Sequence, residues 1–378
     1  MRRNFYSIIK TNKLKILRFS FKTISSIILI INLISCKQTS GNKSKNTSDG
    51  VILDDTLTLL AVGDIMLGTN YPSDAYLPPD SIQNILKPIQ EILQNADITF
   101  GNLEGVFLSK PASPKKICFN NSVCNAFKMP DFYVDFLVSA GFDVLSIANN
   151  HITDFGTEGT DNTQLLLKEN RIAFAGLESC PTTIINKKGI NIGFAAFAPN
   201  ARTNKMNEYE KVKQQIQHLD SVCDVVIVSF HGGAEGGSRH RITRETEYYL
   251  RENRGNPYEF ARIVIDAGAD VVIGHGPHVP RALDVYKNRL IAYSLGNFAT
   301  YRQFSLWGRC GLAPILKIWM SKKGEFHRAE IISCLQVGEG GPFLDAENRV
   351  AKEMKMFTER DIPESELLIF ENGRIQKR

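Results

Sequence analysis

Short apolar runs recur along the chain, each bounded by Gly, Asn or Asp. They cover Leu57–Val62, Ile98–Phe100, Val144–Ala148, Ile190–Phe197, Val225–Phe230, Val271–Ile273 and Leu290–Leu295. Many are rich in β-branched residues, the pattern of buried strands. Residues 312–319 and 326–333 read as further strands. Amphipathic stretches lie between the runs. Ile82, Ile85, Leu86, Ile89, Ile92 and Leu93 recur at helical spacing and predict a helix, with Pro88 either kinking it or beginning its firm part. Asn256-Pro257 predicts an N-cap and first helical position, Phe260, Val264 and Ala267 a buried face, and Gly268 a stop. Strand–helix alternation without an internal repeat predicts an α/β domain over residues 56–335. After Gly338 the pattern weakens, so residues 336–378 are expected to form a charged helix and a tail.

The N-terminal segment changes the picture of charge and compartment. Residues 1–22 carry Arg2, Arg3, Lys10, Lys13, Lys15, Arg18 and Lys22 and no acidic residue. A short apolar run then ends in Leu33-Ile34-Ser35-Cys36. A basic stretch before an apolar core too short for a comfortable membrane span is a secretory signal. The end of that run resembles a bacterial lipobox, which implies a signal peptide over residues 1–35 and lipidation of Cys36. The other reading is an uncleaved N-terminal anchor. Both place the remainder outside the cytoplasmic membrane. Residues 36–55 are mostly polar and are expected to be a flexible tether. The whole chain is +5, but seven positive charges lie in residues 1–35, so the remainder balances at −2. No nucleic-acid-binding surface is expected from that charge. Of the seven cysteines, Cys118 and Cys124 share one loop and are the expected disulfide pair.

Candidate chemistry lies where the apolar runs end. Asp64 follows the first, Glu104 the second, and Asn149-Asn150-His151 the third. His231 and Glu235 follow Val225–Phe230, and His275 and His278 follow Val271–Ile273. Ligands of open α/β sheets bind beyond the carboxyl ends of the strands. Five such ends therefore carry carboxylates, imidazoles and an amide oxygen to one region, the donor set of a divalent-cation site.

The ordered set Gly63-Asp64, Gly101-Asn102-Leu103-Glu104, Asn149-Asn150-His151, His231-Gly232-Gly233-Ala234-Glu235, Gly274-His275-Gly276-Pro277-His278 and Tyr293-Ser294-Leu295-Gly296-Asn297-Phe298 resembles the CapA (poly-γ-glutamate capsule synthesis) family over roughly residues 57–300. That family is related to calcineurin-like metallophosphatases. The resemblance implies a four-layer α-β-β-α sandwich and two divalent ions drawn from Mn, Fe, Zn or Mg. It implies that Asp64 and His278 hold a first ion and Asn150, His231 and His275 a second. Glu104 would bridge them, and His151 would be the general acid. Asn102, Asn149, Glu235, Arg281 and Asn297 are candidate supporting or substrate-binding residues. Three departures from the phosphatase pattern thin the first ion's ligand set. Met66 stands where that pattern has His, Glu104 replaces an Asp, and the last motif has one residue more.

These features imply an exported, membrane-anchored lipoprotein of capsule or poly-γ-glutamate biosynthesis or export. Its expected partners are an anionic polymer or phosphoester substrate and capsule-synthesis membrane proteins. A secreted metal-dependent phosphoesterase and a polymer-binding protein without catalysis are the competing readings.

Overall fold

The computed structural model describes residues 56–80, 83–115 and 125–378. The expected signal segment, Cys36, the tether and the Cys118–Cys124 pair lie outside these residues. Among the described residues Cys180, Cys223, Cys310 and Cys334 are free thiols, and no helix is long and apolar enough to cross a membrane.

Among the described residues, fifteen strands build two large sheets. In chain order they are β1 (Thr56–Met66), β2 (Ile98–Leu103), β3 (Val144–Ser146), β4 (Ala173–Ala175), β5 (Thr182–Lys187), β6 (Ile190–Phe197), β7 (Val225–His231), β8 (Val271–His275), β9 (Leu283–Tyr286), β10 (Arg289–Ala292), β11 (Asn297–Thr300), β12 (Ile315–Ser321), β13 (Phe326–Ile332), β14 (Leu367–Ile369) and β15 (Arg374–Lys377). The first sheet has the order β14-β15-β13-β12-β1-β2-β3-β4, with β11 also pairing with β1. The second runs β9-β10-β8-β7-β6-β5. β1, β2, β3 and β4 are mutually parallel, as are β6, β7, β8 and β10.

The period-two alternation of side chains divides the interior into layers. Leu57, Leu59 and Ala61 of β1 share a core between the sheets with Phe194, Ile227 and Ile273 of the second sheet. Leu60 and Val62 face the other way, against Leu93, Leu137 and Leu167. Those three belong to α1 (Gln90–Leu93), α2 (Val134–Ala140) and α3 (Gly156–Glu169). On the outer face of the second sheet, Val226, Val228 and Phe230 pack on α4 (Tyr209–Val222) and α5 (Pro257–Asp266) through Ile216, Leu219, Phe260 and Val264. The result is helices, sheet, sheet, helices, the four-layer sandwich expected.

Some elements differ from expectation. The helix expected from Ile82 is a 3-10 turn, Lys87–Ile89, with Pro88 in its first positions, followed by the four residues of α1. Proline's fixed φ suits a helix start and its missing N–H forbids an interior position. The α5 boundaries are as read: the Asn256 side chain accepts from the Glu259 amide, and Gly268 takes a φ of 118° beyond the end. Residues 336–378 are not a separate helix and tail. The helix is present as α6 (Arg349–Asp361), but it packs against both β9 and β13 and covers an edge of the sandwich. The chain after it forms β14 and β15, which extend the first sheet beyond β13. Leu367, Ile369 and Ile375 are buried in the core between the sheets.

One connection positions the site. The chain leaves the second sheet at Ala292, crosses through Tyr293–Gly296, and enters the first sheet as β11, with Asn297 opposite Asp64. Leu295 N donates to Gly274 O at 3.1 Å, and Asp64 N donates to Gly296 O at 2.8 Å. The crossing segment thus ties β8 to β1. A Cβ on Gly63 would run into the carbonyl oxygens of Leu295 and Gly296, and one on Gly274 into that of Tyr293. Only glycine admits the close approach there.

Candidate metal centre

The carboxyl ends of β1, β2, β3, β7 and β8 meet at one pole of the sandwich. β1 pairs with β12 as far as Val62, and β11 takes over from Asp64 to Met66 with a shift of register at Asp64. This irregularity re-aims the strand at its functional residue, a common use of a bulge. Asp64, Glu104 and His231 are all buried, and each offers a ligand atom within 4.8 Å of those of the other two. His278 lies between the two acids, with Nδ1 3.0 Å from Asp64 Oδ2 and Nε2 3.6 Å from Glu104 Oε1. Its φ of 58° is left-handed, as the turn Gly276-Pro277-His278 requires. His275 Nδ1 is 3.3 Å from Asp64 Oδ1, close but poorly aligned for a hydrogen bond. His151 Nε2 lies 3.9 Å and His231 Nε2 4.0 Å from Glu104 Oε1.

Amides brace this cluster. Asn102 Nδ2 donates to Asp64 Oδ1 at 2.9 Å. Asn149 Nδ2 donates to Leu103 O at 2.8 Å and to Asn102 Oδ1 at 3.2 Å, and its own Oδ1 accepts from His151 N at 3.1 Å. The ring of His151 is set by two groups that sequence reasoning missed. Asp154 Oδ2 sits 2.7 Å from His151 Nδ1 and also accepts from Phe127 N, whose ring stacks on the imidazole at 4.1 Å between centroids. Asp154 follows His151 by three residues, a signal present in the sequence. Phe127 is remote and gave none.

Other candidates are used differently. Arg281 is buried and forms a bidentate pair with Glu247, 2.8 Å on each arm, and also donates to Arg239 O. It braces the fold from inside, as one of the supporting residues expected. Asn297 Nδ2 donates to Cys310 O at 3.1 Å, which pins the segment after β11. Glu235 Oε2 is 4.0 Å from His278 Nε2, and its Oε1 pairs with Arg254 Nη1 at 2.7 Å. Asn150 is half-buried with an enclosed Oδ1 that has no partner.

Burial and mutual charge set the electrostatics. Burial pushes Glu104 well above the carboxylate range, and the Asp64 charge adds to this. Burial also opposes ionisation of Asp64, yet the imidazoles of His275 and His278 hold it well below that range. For His278 burial lowers the pKa, but Glu104 and Asp64 outweigh it and push it up to about 10. His231 is lowered by burial. Both oxygens of Glu104, Nε2 of His231 and of His275, and Oδ1 of Asn150 are buried without a hydrogen-bond partner. Orphaned buried polar atoms are costly. Oxygen and imidazole donors converging in this way fit a divalent cation, which would satisfy them together.

Comparison with known proteins agrees with the residue pattern. The family described as bacterial capsule synthesis protein PGA_cap matches residues 58–302. The capsule biosynthesis protein CapA of Bacillus anthracis is 27% identical over 328 residues, covering 81% of this chain and 75% of that one. The PGA biosynthesis protein CapA of Bacillus subtilis is 26% identical over 287 residues, covering 72% and 70%. The solved structure of a 5'-nucleotidase precursor from Thermus thermophilus aligns with 80% of this chain and 58% of its own, at 13% identity and a TM-score of 0.41. The family match spans most of the sandwich and every residue of the metal-type cluster, and the chain belongs to the PGA_cap family of bacterial capsule synthesis proteins.

Proposed function

We propose that this chain is an exported, lipid-anchored protein of capsule biosynthesis whose divalent-metal centre hydrolyses an anionic polymer of the poly-γ-glutamate type. The observation that carries this reading is the convergence of unpartnered, buried ligand atoms at Glu104, His231 and His275 around Asp64. A merely structural polar cluster would satisfy its own donors and acceptors. The names of the Bacillus relatives support the choice of polymer, and the segment ending at Cys36 supports export and lipidation. Partners at the membrane would be capsule-synthesis proteins.

Asp64, Glu104 and His231 would hold the ion, with His275, His278 and Asn150 completing one site or building a second. When bound, a divalent cation supplies a Lewis acid that polarises the attacked group and acidifies a water. The chain's own residues do the rest. Asn102 and Asn149 fix the Asp64 carboxylate and the end of β3. Asp154 takes the Nδ1–H of His151, which leaves Nε2 facing the centre, and it is the imidazolium form of the ring that would give the leaving group its proton from Nε2. The stack on Phe127 keeps that ring from turning.

The test uses the full chain purified from membranes. Bound divalent metal and shortening of poly-γ-glutamate are expected, the latter lost in His151→Ala. Release of phosphate from phosphoesters with the polymer left intact would reassign the substrate. Absence of divalent metal under all loading conditions would end the hydrolase reading and leave polymer binding. Cys36→Ser should abolish fatty-acid labelling.

A further inference from the structure

Arg254 is an arginine that the metal-centre chemistry does not use. It is only 1% exposed, yet its Nε and Nη2 have no hydrogen-bond partner. Its Nη1 is taken by Glu235 at 2.7 Å, with the exposed Glu252 3.7 Å away. Nε–H and one Nη2–H point the same way along one edge of a guanidinium. That edge is the fork that matches two oxygens of a carboxylate or phosphate. A buried cation whose matching edge stays open is costly unless something fills it.

Its position ties it to the centre. Glu235, the partner of Nη1, reaches to 4.0 Å from His278 Nε2, and His278 in turn touches both Asp64 and Glu104. Beside the dominant effect of burial, the Arg254 charge also acts on Glu104 and His231. The backbone holds the side chain in place. Arg254 N donates to Glu247 O at 2.9 Å, and Gly233 N donates to Arg254 O at 2.8 Å. Glu247 is itself locked by the buried Arg281. The fork is therefore preorganised on a braced segment next to the metal ligands.

We propose that Arg254 is a specificity-determining residue that receives an oxyanion of the substrate, carboxylate or phosphate, on its Nε–Nη2 edge. The proposal rests on the hydrolase reading of the neighbouring centre. It restricts substrates to molecules with an acidic group close to the bond that is cleaved, which a polymer of acidic residues provides at every repeat. Glu235 then has a second role, as the internal carboxylate that keeps Arg254 partly neutralised until the substrate arrives.

The test is calorimetric titration of the full chain with glutarate and with inorganic phosphate, each with metal loaded and after chelation, with metal content measured in parallel. One of the two anions should bind, and which one does assigns the group. Arg254→Lys keeps the charge but loses the fork, and should weaken that binding by about tenfold or more with metal content unchanged. Glu235→Gln removes the competing negative charge and should tighten it. It remains informative if Arg254→Lys does not fold. Equal anion affinity in Arg254→Lys and the unaltered chain overturns the proposal, as does failure of both anions to bind. A chain that takes up no metal but still binds the anion through Arg254 overturns the hydrolase reading and leaves the anion site standing.

Discussion

Within the site, single side chains divide the work between holding a cation and holding a proton. His275 belongs to the first group, so His275→Ala should lower metal content, read by elemental analysis of purified protein. His151 belongs to the second. His151→Ala should keep the metal and lose turnover on the order of 10²–10⁴-fold, the usual contribution of a general acid. Asp154→Asn separates positioning from proton transfer. It should keep the metal, lower kcat more than it raises KM, and move the alkaline limb of the pH–rate profile to lower pH, because the imidazolium loses its carboxylate partner and the Asn amide can present N–H to Nδ1 and reverse the tautomer. An unchanged pH profile in that variant would show that Asp154 only packs. The residues around Asp64 were legible in the sequence because each ends an apolar run, and a polar residue there has few packing uses. Arg254 was not legible. It sits in a polar stretch, Arg251-Glu252-Asn253-Arg254, where burial of one charge among several leaves no pattern. Arg281 was legible only as a position beside the His278 motif, and its partner Glu247, 34 residues away, left no local sign.

At the scale of elements, the narrowest tolerance lies where the two sheets are tied. Gly274→Ala should cost about 1–3 kcal/mol in urea unfolding, as overpacking does, because the Cβ would run into both the Tyr293 carbonyl and the Phe230 ring. Asn256→Ala should cost about 1 kcal/mol through loss of the α5 cap. The turn between α5 and β8 carries a pH-dependent contribution. Asp270 accepts from Val226 N at 2.7 Å and pairs with Arg289 at 2.9 Å. Burial nevertheless raises it from 3.8 to about 6, opposed by Val226 and Arg289 and aided by Asp220. A carboxyl with a raised folded pKa favours the folded state most when protonated. That contribution is full below about pH 4 and is lost as pH rises through about 6. The stability difference between the unaltered chain and Asp270→Asn should therefore fall across that window, by up to roughly 3 kcal/mol. A difference flat with pH would show that Arg289 compensates fully. β6 was legible at both ends, Ile190 and Phe197, because its apolar run is long and sharply bounded. β11 was not. Its pairing with β1 joins residues more than 200 positions apart, and the motif Tyr293–Phe298 carries no local sign that the chain changes sheets within it.

For the whole molecule, the last residues contribute stability out of proportion to their polar composition. Deleting residues 363–378 would uncover the edge of β13 and remove Leu367, Ile369 and Ile375 from the core between the sheets. At about 1.5–3 kcal/mol for each buried side chain, the truncated chain should unfold at a clearly lower temperature or aggregate through the bare strand. Retention of the full melting temperature would show that β14 and β15 are dispensable. The alternation of apolar residues in 367–375 was hidden by flanking charges, which a strand at the border of a sheet carries as protection.

β1 enters the sheet at Thr56 and reaches Asp64 at the opposite pole, about 26 Å further at the rise of an extended strand. β12, β13 and β15 alternate in direction from there, so Lys377 returns to the pole where Thr56 begins. Both ends of the sandwich therefore emerge on the side remote from the ligand cluster. A handle at either end faces away from the mouth of the site. Protein captured on a sensor surface through its C-terminus should load metal and titrate glutarate or phosphate as it does free in solution. The two ends can also be joined by a short linker, and the chain reopened elsewhere, without a new segment crossing the mouth.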